Sequence, residues 1–267
     1  MTDLASIKRS QQAMWAGGDY APIGARILIA SELLCEAVDV RAGQRVLDVA
    51  TGTGNTALAA ARRFCEVTGI DYVPAWLERA RERARLEGLE AAFVEGDAEA
   101  IPFPDASFDV VLSTYGAMFA PDQERAARET LRVCRPGGKI GMANWTPDGF
   151  SGEMFRLTAR YVPPPEGLKP ATRWGTEPGL RELFGDGIAS LRVARRELVF
   201  RFRSARHRNE FFRAHFGPTM KTFAALDAAR QERLAQELEA LAERFNRADD
   251  GTLVLPSEYL EVVAIRR

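Results

Sequence analysis

The chain has 267 residues, which is enough for one large domain or for a core with an appended lid. Its 36 lysines and arginines nearly balance 37 aspartates and glutamates, for a formal net charge of −1, whereas a general nucleic-acid-binding protein would show a basic excess. No apolar run approaches the ~20 residues of a membrane span and no signal-peptide core opens the sequence, so a cytoplasmic protein is expected.

From residue 45 onward, short β-rich runs alternate with longer helical runs. Strands are predicted at residues 45–49, 66–70, 92–95, 108–112 and 138–143, and helices at residues 55–63, 74–87 and 123–134. Strands that alternate with helices are typical of a parallel sheet covered on both faces. The predicted fold class is therefore α/β, a doubly wound and mostly parallel sheet.

The second half of the chain follows a different pattern. Residues 146–178 are rich in proline and glycine, with three consecutive prolines from Pro163, and a loop or lid is predicted there rather than core. A strand is predicted at 191–203, a helical stretch at about 204–247 and a last strand at 259–265. The expected organisation is a capping segment at 1–30, an α/β core at 31–147, a lid or substrate region at 148–250 and a final strand within 251–267.

The first predicted strand runs into a glycine-rich turn that contains Gly52 and Gly54 and leads into a helix. Glycines let a backbone pass close to a ligand, and a helix N-terminus offers unpaired N–H groups to an anion, although a tight turn alone would also explain them. The run from Gly52 to Ala57 fits G-x-G-x-x-G/A and Asp71 ends the second strand, so an NAD(P)-dependent oxidoreductase is one alternative. Asp48 favours another ligand. Its carboxylate can accept hydrogen bonds from loop amides or from an ammonium group of a ligand, whereas a negatively charged pyrophosphate would gain no favourable interaction from it.

This turn resembles motif I of the class I S-adenosylmethionine (SAM)-dependent methyltransferases, with Ala50 where that family commonly has its first glycine. Further segments resemble the family at matching intervals, and they lie at residues 69–77, 96–103, 108–112 and 131–138. The resemblance covers roughly residues 40–145 and is greatest for the branch that includes ubiquinone and menaquinone methyltransferases. It implies a Rossmann-like methyltransferase fold with a helical or loop lid, and SAM as the cofactor.

The resemblance also implies roles for single residues. Asp71 would accept hydrogen bonds from the ribose diol, and a position at the rim of the sheet is expected for it, so that its loss should spare folding. Asp97 and the backbone N–H of Ala98 would bind the adenine edge, and Tyr72 and Trp76 would pack against its face. A helix cap or ion pair for Asp71, a turn-stabilising role for Asp97 and plain packing for the two aromatic residues remain alternatives.

At the methionine end of the cofactor, the resemblance implies contacts from two further segments. Backbone carbonyls near Ser113 and Thr114 would hold the ammonium group, and Tyr20 in the capping segment would close over this end or remain an ordinary surface aromatic residue. The full set of predicted cofactor-binding residues is Tyr20, Asp48, Ala50, Gly52, Gly54, Asp71, Tyr72, Trp76, Asp97, Ala98, Ser113 and Thr114.

The predicted reaction is methyl transfer to a small, aromatic or quinone-like metabolite, with a non-catalytic SAM-binding protein as a second alternative. Tyr115 and His215 are candidate bases, and His207 is a weaker one because arginines flank it. Two histidines exclude a histidine-rich metal site, and no metal is predicted. The substrate pocket is expected between the sheet edge and residues 146–250, with aromatic side chains from the cluster of Phe211, Phe212, Phe216 and Phe223, although such a cluster at helical spacing can also be core packing.

Overall fold

The computed structural model describes residues 3–267, and within them seven strands form one sheet. Five strands have parallel neighbours, β7 runs antiparallel to both β5 and β6, and the order across the sheet is β3-β2-β1-β4-β5-β7-β6. This arrangement confirms the predicted doubly wound, mostly parallel α/β fold. The strands are β1 (Arg45–Val49), β2 (Glu66–Asp71), β3 (Ala92–Glu95), β4 (Phe108–Thr114), β5 (Cys134–Trp145), β6 (Ile188–Phe202) and β7 (Leu253–Arg266).

Helices cover both faces of the sheet, and none that residues 3–267 form combines the length and apolarity of a membrane-spanning segment. Short 3₁₀ turns at Ala117–Phe119, Ala171–Gly175 and Gly185–Gly187 lie between the longer elements. The helices are α1 (Leu4–Ala16), α2 (Ala21–Val38), α3 (Asn55–Ala61), α4 (Pro74–Glu87), α5 (Gln123–Val133), α6 (Phe150–Tyr161), α7 (Glu177–Phe184), α8 (Ala205–His215), α9 (Gly217–Ala224) and α10 (Ala228–Phe245).

The central strands are buried on both sides, as continuous apolar runs in a parallel sheet require. Successive side chains of a strand point to opposite faces, so neighbours in β1 belong to different cores. Val46 packs with α3 and α4, whereas Leu47 packs in the larger cluster on the opposite face. Because the central strands are held by packing on both faces, their carboxyl ends have fixed positions, and these ends lie together at one edge of the sheet.

The segment at 146–178 is more ordered than its proline content predicts. It contains α6, and Phe150 and Trp174 in it are completely buried, so much of it belongs to the core. The consecutive prolines follow the end of this helix and are exposed. Proline and glycine therefore mark the ends of α6, and their frequency in this segment does not exclude a helix.

The region after β6 also differs from its prediction. The helical stretch predicted at 204–247 is divided into α8, α9 and α10, because Gly217-Pro218 starts a new helix after Phe216. At the start of this excursion Phe202 is paired with Leu253, and β6 and β7 are antiparallel partners along their whole length. The three helices thus leave and return to the sheet at adjacent points of one hairpin.

Candidate functional site

A deep cleft opens at the carboxyl ends of the strands, where the strand order reverses between β1 and β4. The connections that leave these two strands diverge, and a crevice at such a point is the usual ligand site of open α/β sheets. The cleft has a volume of about 1440 Å³ including its mouth. Most of the predicted cofactor residues line it, namely Tyr20, Asp48, Ala50, Gly52, Asp71, Tyr72, Trp76, Asp97, Ala98 and Thr114.

The backbone of the glycine turn explains its composition. Gly52 has a φ of +55°, and the face where a side chain would stand is occupied only by the rings of Tyr20 and Trp76 at 3.7 and 3.9 Å. Ala50 has the same left-handed φ of +55°, a conformation that glycine adopts without strain. Ala50 therefore has a backbone conformation that favours glycine, the residue that the resembled family commonly has at this position.

Asp48 lies inside the turn and is only 1% exposed. Its Oδ2 accepts a hydrogen bond from Thr51 Oγ1 at 2.6 Å and one from the Ala57 amide at 2.9 Å, which connects the end of β1 to the first turn of α3. Burial raises the pKa of Asp48 to about 7, and the nearby charge of Asp71 adds to the increase. A cationic ligand in the cleft would favour the ionised form.

Asp71 ends β2 at the carboxyl edge of the sheet, as predicted, but it is only 2% exposed, so the expectation that its loss would spare folding is wrong. Its two oxygens accept from the amides of Gly52 and Val73, both at 2.9 Å. Burial raises the pKa of Asp71 to about 6, although these amides favour its charged form. Asp71 therefore supports the glycine turn, and the carboxylate still lines the cleft.

The third acidic position is held from the N-terminal helix. Lys8 Nζ lies 2.6 Å from Asp97 Oδ2 and also pairs with the buried Glu99. Asp97 Oδ1 accepts from the Glu99 amide at 2.9 Å, so the turn-stabilising role left open by the sequence is present. Gln12 on the same helix donates to the carbonyl of Tyr72. Helix α1 thus fastens onto the loops after β2 and β3.

An aromatic cluster surrounds the mouth of the cleft. Tyr20 stacks on Trp76 with centroids 5.1 Å apart, and Trp15 contacts Trp76, Phe119 and Phe216 edge-on at 5.2 to 6.1 Å. The sequence placed Tyr20 and Trp76 at the site and missed Trp15 and Phe119. Trp15 and Tyr20 lie on opposite sides of the turn between α1 and α2, so their spacing has no helical period that could indicate a shared site. Only the tertiary fold brings α1 to Trp76.

Tyr115, which follows β4, lies deeper in the same cleft. Its ring is stacked face to face on Trp145 with centroids 3.8 Å apart, and Tyr259 packs against its edge. The φ of +54° is a strained value for a tyrosine, and the buried hydroxyl has no hydrogen-bond partner among the described residues. Strain together with an unpartnered polar group is typical of a functional position.

The remaining predicted residues lie outside the cleft lining. Ser113 Oγ donates to the Val49 carbonyl at 2.8 Å and accepts from the Ala117 amide, so it joins β1 to the loop after β4. Gly54 is packed against α4 behind the turn, because an added Cβ would lie 3.0 Å from Ala80 Cβ. His207 and His215 are both on α8, and neither lines the cleft; the ring of His215 contacts that of Phe211.

Comparison with known proteins identifies the family. The family described as "Methyltransferase domain" matches residues 47–142. An uncharacterized protein of Mycobacterium tuberculosis is 39% identical over 98% of this chain and 96% of its own length. The chain belongs to the SAM-dependent methyltransferases. Membership in this family confirms the cofactor expected from the resemblance and favours it over the NAD(P) of the oxidoreductase alternative.

Two further proteins are similar to this methyltransferase over different extents. The demethylmenaquinone methyltransferase of Thermus thermophilus is 41% identical over 46% of this chain and 58% of its own length. The crystal structure of the YcgJ protein of Bacillus subtilis has a TM-score of 0.65 and 22% identity, and the match covers 89% of this chain and 98% of that one. The second likeness concerns the fold alone.

The polar groups that line the cleft of the methyltransferase fit SAM. SAM carries a ribose diol, an adenine edge, two positive charges and one carboxylate, and the cleft presents the buried carboxyl groups of Asp48 and Asp71 together with Asp97. The open face of Gly52 gives a ligand close access to the backbone. Arg208, a further cleft residue, was considered in the sequence only as a charged neighbour of His207, because burial of an arginine leaves no signal in its local sequence.

Proposed function

We propose that this methyltransferase transfers the methyl group of SAM to a small, aromatic or quinone-like metabolite. The observation that carries the proposal is the wall of the cleft beyond the glycine turn. Tyr115 and Trp145 form a parallel stack there, and Phe150, Phe200 and Phe212 complete an aromatic enclosure. Flat apolar walls of this kind favour a flat apolar acceptor. The partial likeness to a demethylmenaquinone methyltransferase is consistent with this class.

Within this proposal, the acidic side of the cleft binds the cofactor. Asp71 accepts from the ribose hydroxyls, Asp97 and the Ala98 amide bind the adenine edge, and the aromatic pair of Tyr20 and Trp76 contacts the ring system. Asp48 acts by fixing the turn and by placing a negative charge behind it. These roles are supported by the presence of all six residues in one cleft.

When bound, SAM supplies an electrophilic methyl group on a positively charged sulfur. The residues of this chain contribute by orienting the acceptor and by excluding water from it, because in-line transfer depends on proximity and gains from a site poor in water. Trp145 and Phe212 provide buried apolar surface for this purpose. Phe216 and Trp15 close the mouth.

Tyr115 is better suited to donate a hydrogen bond than to act as a base. Burial raises the pKa of its hydroxyl well above the ordinary value, and the neighbouring tyrosines add to the increase. The hydroxyl therefore remains protonated at neutral pH and has no protein acceptor among the described residues. We propose that it donates to an oxygen of the acceptor.

The proposal is tested with labelled SAM and a panel of acceptors that includes reduced 1,4-naphthoquinone, catechols and simple phenols. Binding of SAM, S-adenosylhomocysteine, NAD and NADP is first measured by calorimetry, and only the first two are expected to bind. We expect labelled product from at least one aromatic or quinol acceptor. Binding of SAM without transfer to any of them, but with transfer to aliphatic amines or to a macromolecule, would contradict the proposed substrate class. Binding of SAM without transfer to any acceptor would favour the non-catalytic alternative.

A further inference from the structure

Arg208 is a buried cation without an anionic partner. It lies in the first turn of α8, is 2% exposed and lines the cleft. Among the described residues no carboxylate forms an ion pair with it. In contrast to Arg208, most other arginines of this chain are exposed. Its bonds run from Nη1 to Asn209 Oδ1 at 3.0 Å and from Nη2 to Met154 Sδ at 2.8 Å, and Nε has no partner.

The surroundings of this guanidinium are aromatic. Its central carbon lies 4.2 Å from the ring centre of Phe212 and 5.0 Å from that of Phe150. Burial alone lowers the pKa of Arg208 to about 9, which reflects the loss of hydration without a compensating charge. A guanidinium has five N–H donors, and a neutral amide and a thioether satisfy few of them. The rings hold the cation in place but leave its charge unpaired.

Such an arrangement is unfavourable for folding. An ion transferred from water to an apolar interior loses several kcal/mol unless an anion or a full set of hydrogen bonds compensates it. If this position had a structural role only, an uncharged side chain of similar volume would give a more stable fold. Groups that lower stability in this way are common at binding sites, where a ligand supplies the missing partner.

The charges in the cleft are also separated. The acidic groups Asp48, Asp71, Asp97 and Glu99 line the part next to β1, β2 and β3, where Lys8 pairs with the last two. Arg208 lines the part formed by α6, α8 and the aromatic residues. The acidic part suits the cationic cofactor. The other part combines one cation with apolar walls, so it suits a flat apolar molecule that carries a negative group.

We infer that Arg208 binds an oxyanion of the methyl acceptor, so that the acceptor class is an aromatic or apolar acid: a carboxylate, or an ionised phenol or enol. The guanidinium binds two oxygens of a carboxylate in a bidentate manner, or stabilises the single oxygen of a phenolate. In either case the body of the acceptor lies against Phe150, Phe212 and the Trp145 stack. This inference rests on the proposed methyl transfer and specifies its substrate class.

The test compares pairs of ligands of similar shape, one anionic and one neutral. Protein saturated with S-adenosylhomocysteine is titrated by calorimetry with benzoate and benzamide, with 2-naphthoate and 2-naphthamide, and with 4-nitrophenolate and 4-nitroanisole. We expect at least one anion to bind about tenfold to hundredfold more tightly than its neutral partner, the range for one charge-assisted hydrogen bond. The first two pairs report a carboxylate site and the third reports a phenolate site.

Two variants complete the test. Arg208→Met removes the cation and keeps an apolar side chain, and we expect it to abolish the preference for the anion, to bind S-adenosylhomocysteine normally and to raise the melting temperature. Arg206→Gln removes the same charge from an exposed position two residues away and is expected to behave as the wild type. If no anion is preferred in the wild type, or if the preference survives in Arg208→Met, the inference is overturned. Loss of S-adenosylhomocysteine binding in the wild type would instead refute the proposed function.

Discussion

The Gly52 amide donates to Asp71 Oδ2 across 2.9 Å, so the glycine turn after β1 is fastened to the carboxyl end of β2. The second oxygen of Asp71 accepts from the Val73 amide at the same distance. A carboxylate has about four acceptor positions, and these bonds use two of them. One buried side chain therefore supports the turn and keeps acceptor capacity for a ligand.

Replacement of Asp71 by alanine is expected to weaken both cofactor binding and folding. SAM binding should lose ~1.5–3 kcal/mol with the charge-assisted hydrogen bonds. The free energy of unfolding should fall by ~1–3 kcal/mol, because two buried amides lose their acceptor. Calorimetry and urea unfolding measure the two effects, and Asp105→Ala at an exposed position is the control. An unchanged SAM affinity would show that Asp71 supports the turn only.

The stability of the protein should depend on pH through Asp48. Because its folded pKa is about 7 and its unfolded value ~3.9, the folded state retains a proton that the unfolded chain has lost. This contribution to stability is fully present below about pH 4 and is lost as the pH rises through about 7. Asp48→Asn cannot ionise, so its free energy of unfolding relative to the wild type should increase by on the order of 2 kcal/mol from pH 5 to pH 8.

Asp109→Asn is the matched control for this pH series. The Arg45 amide and Arg135 lower the pKa of Asp109, so its contribution is present above the unfolded pKa and is lost only in acid. Its difference from the wild type should stay constant from pH 5 to pH 8. Parallel unfolding curves for Asp48→Asn and the wild type across this range would contradict the assigned pKa of Asp48.

Ala50 should tolerate a smaller side chain and reject a larger one. Its left-handed backbone suits glycine, and a Cβ on Gly116 would already lie 2.8 Å from Ala50 Cβ. We expect Ala50→Gly to stay within ~1 kcal/mol of the wild type, because relief of strain offsets the added freedom of the unfolded chain. Ala50→Val should lose ~3 kcal/mol or more, since it combines crowding with a disfavoured φ. Chemical denaturation distinguishes these outcomes, and equal stability of the two variants would contradict them.

Phe212 and Phe216 line the same cleft but differ in burial. Phe212 is buried and packs on Phe200 and Phe202, so Phe212→Ala should lose ~3–5 kcal/mol of stability. Phe216 is half-buried at the mouth, and Phe216→Ala should lose less than ~2 kcal/mol while raising the acceptor KM. Thermal unfolding and steady-state kinetics of both variants provide the measurement. A large loss of stability in both would mean that the aromatic wall is core packing rather than a pocket.

The sequence predicted the sheet and the acidic side of the cleft well. The strands at 45–49 and 92–95 match the structure in full, because glycines lie close to both ends of each apolar run. Parallel strands bring their carboxyl ends to one edge, which is why residues as distant as Asp48 and Asp97 were expected together. Local pattern and motif spacing were sufficient for this half of the molecule.

The acceptor side could not be predicted in the same way. α6 was hidden by the prolines and glycines at its ends, and α1 joins the site only through tertiary contacts of Lys8 and Trp15. The aromatic residues that flank His215 in the sequence favour a pocket position for it, but in the structure its ring contacts Phe211 and Arg208 is the α8 residue that lines the cleft with Phe212. Which face of α8 is buried is decided by its neighbours, and its short sequence does not encode that choice.

The β6–β7 hairpin separates the residues of the cleft into two groups, those of the glycine-turn region and those carried by the excursion between the two strands. Phe202 and Leu253 are cross-strand partners, so the 50 residues between them begin and end at the same place on the sheet. Insertions or exchanges within that excursion leave the strand register unchanged and leave the glycine turn, Asp48 and Asp71 untouched. The excursion carries Arg208, Phe212 and Phe216 into the cleft. If Arg208 and the two phenylalanines bind the acceptor as proposed, this excursion can change part of the acceptor site without changing the residues proposed to bind the methyl donor.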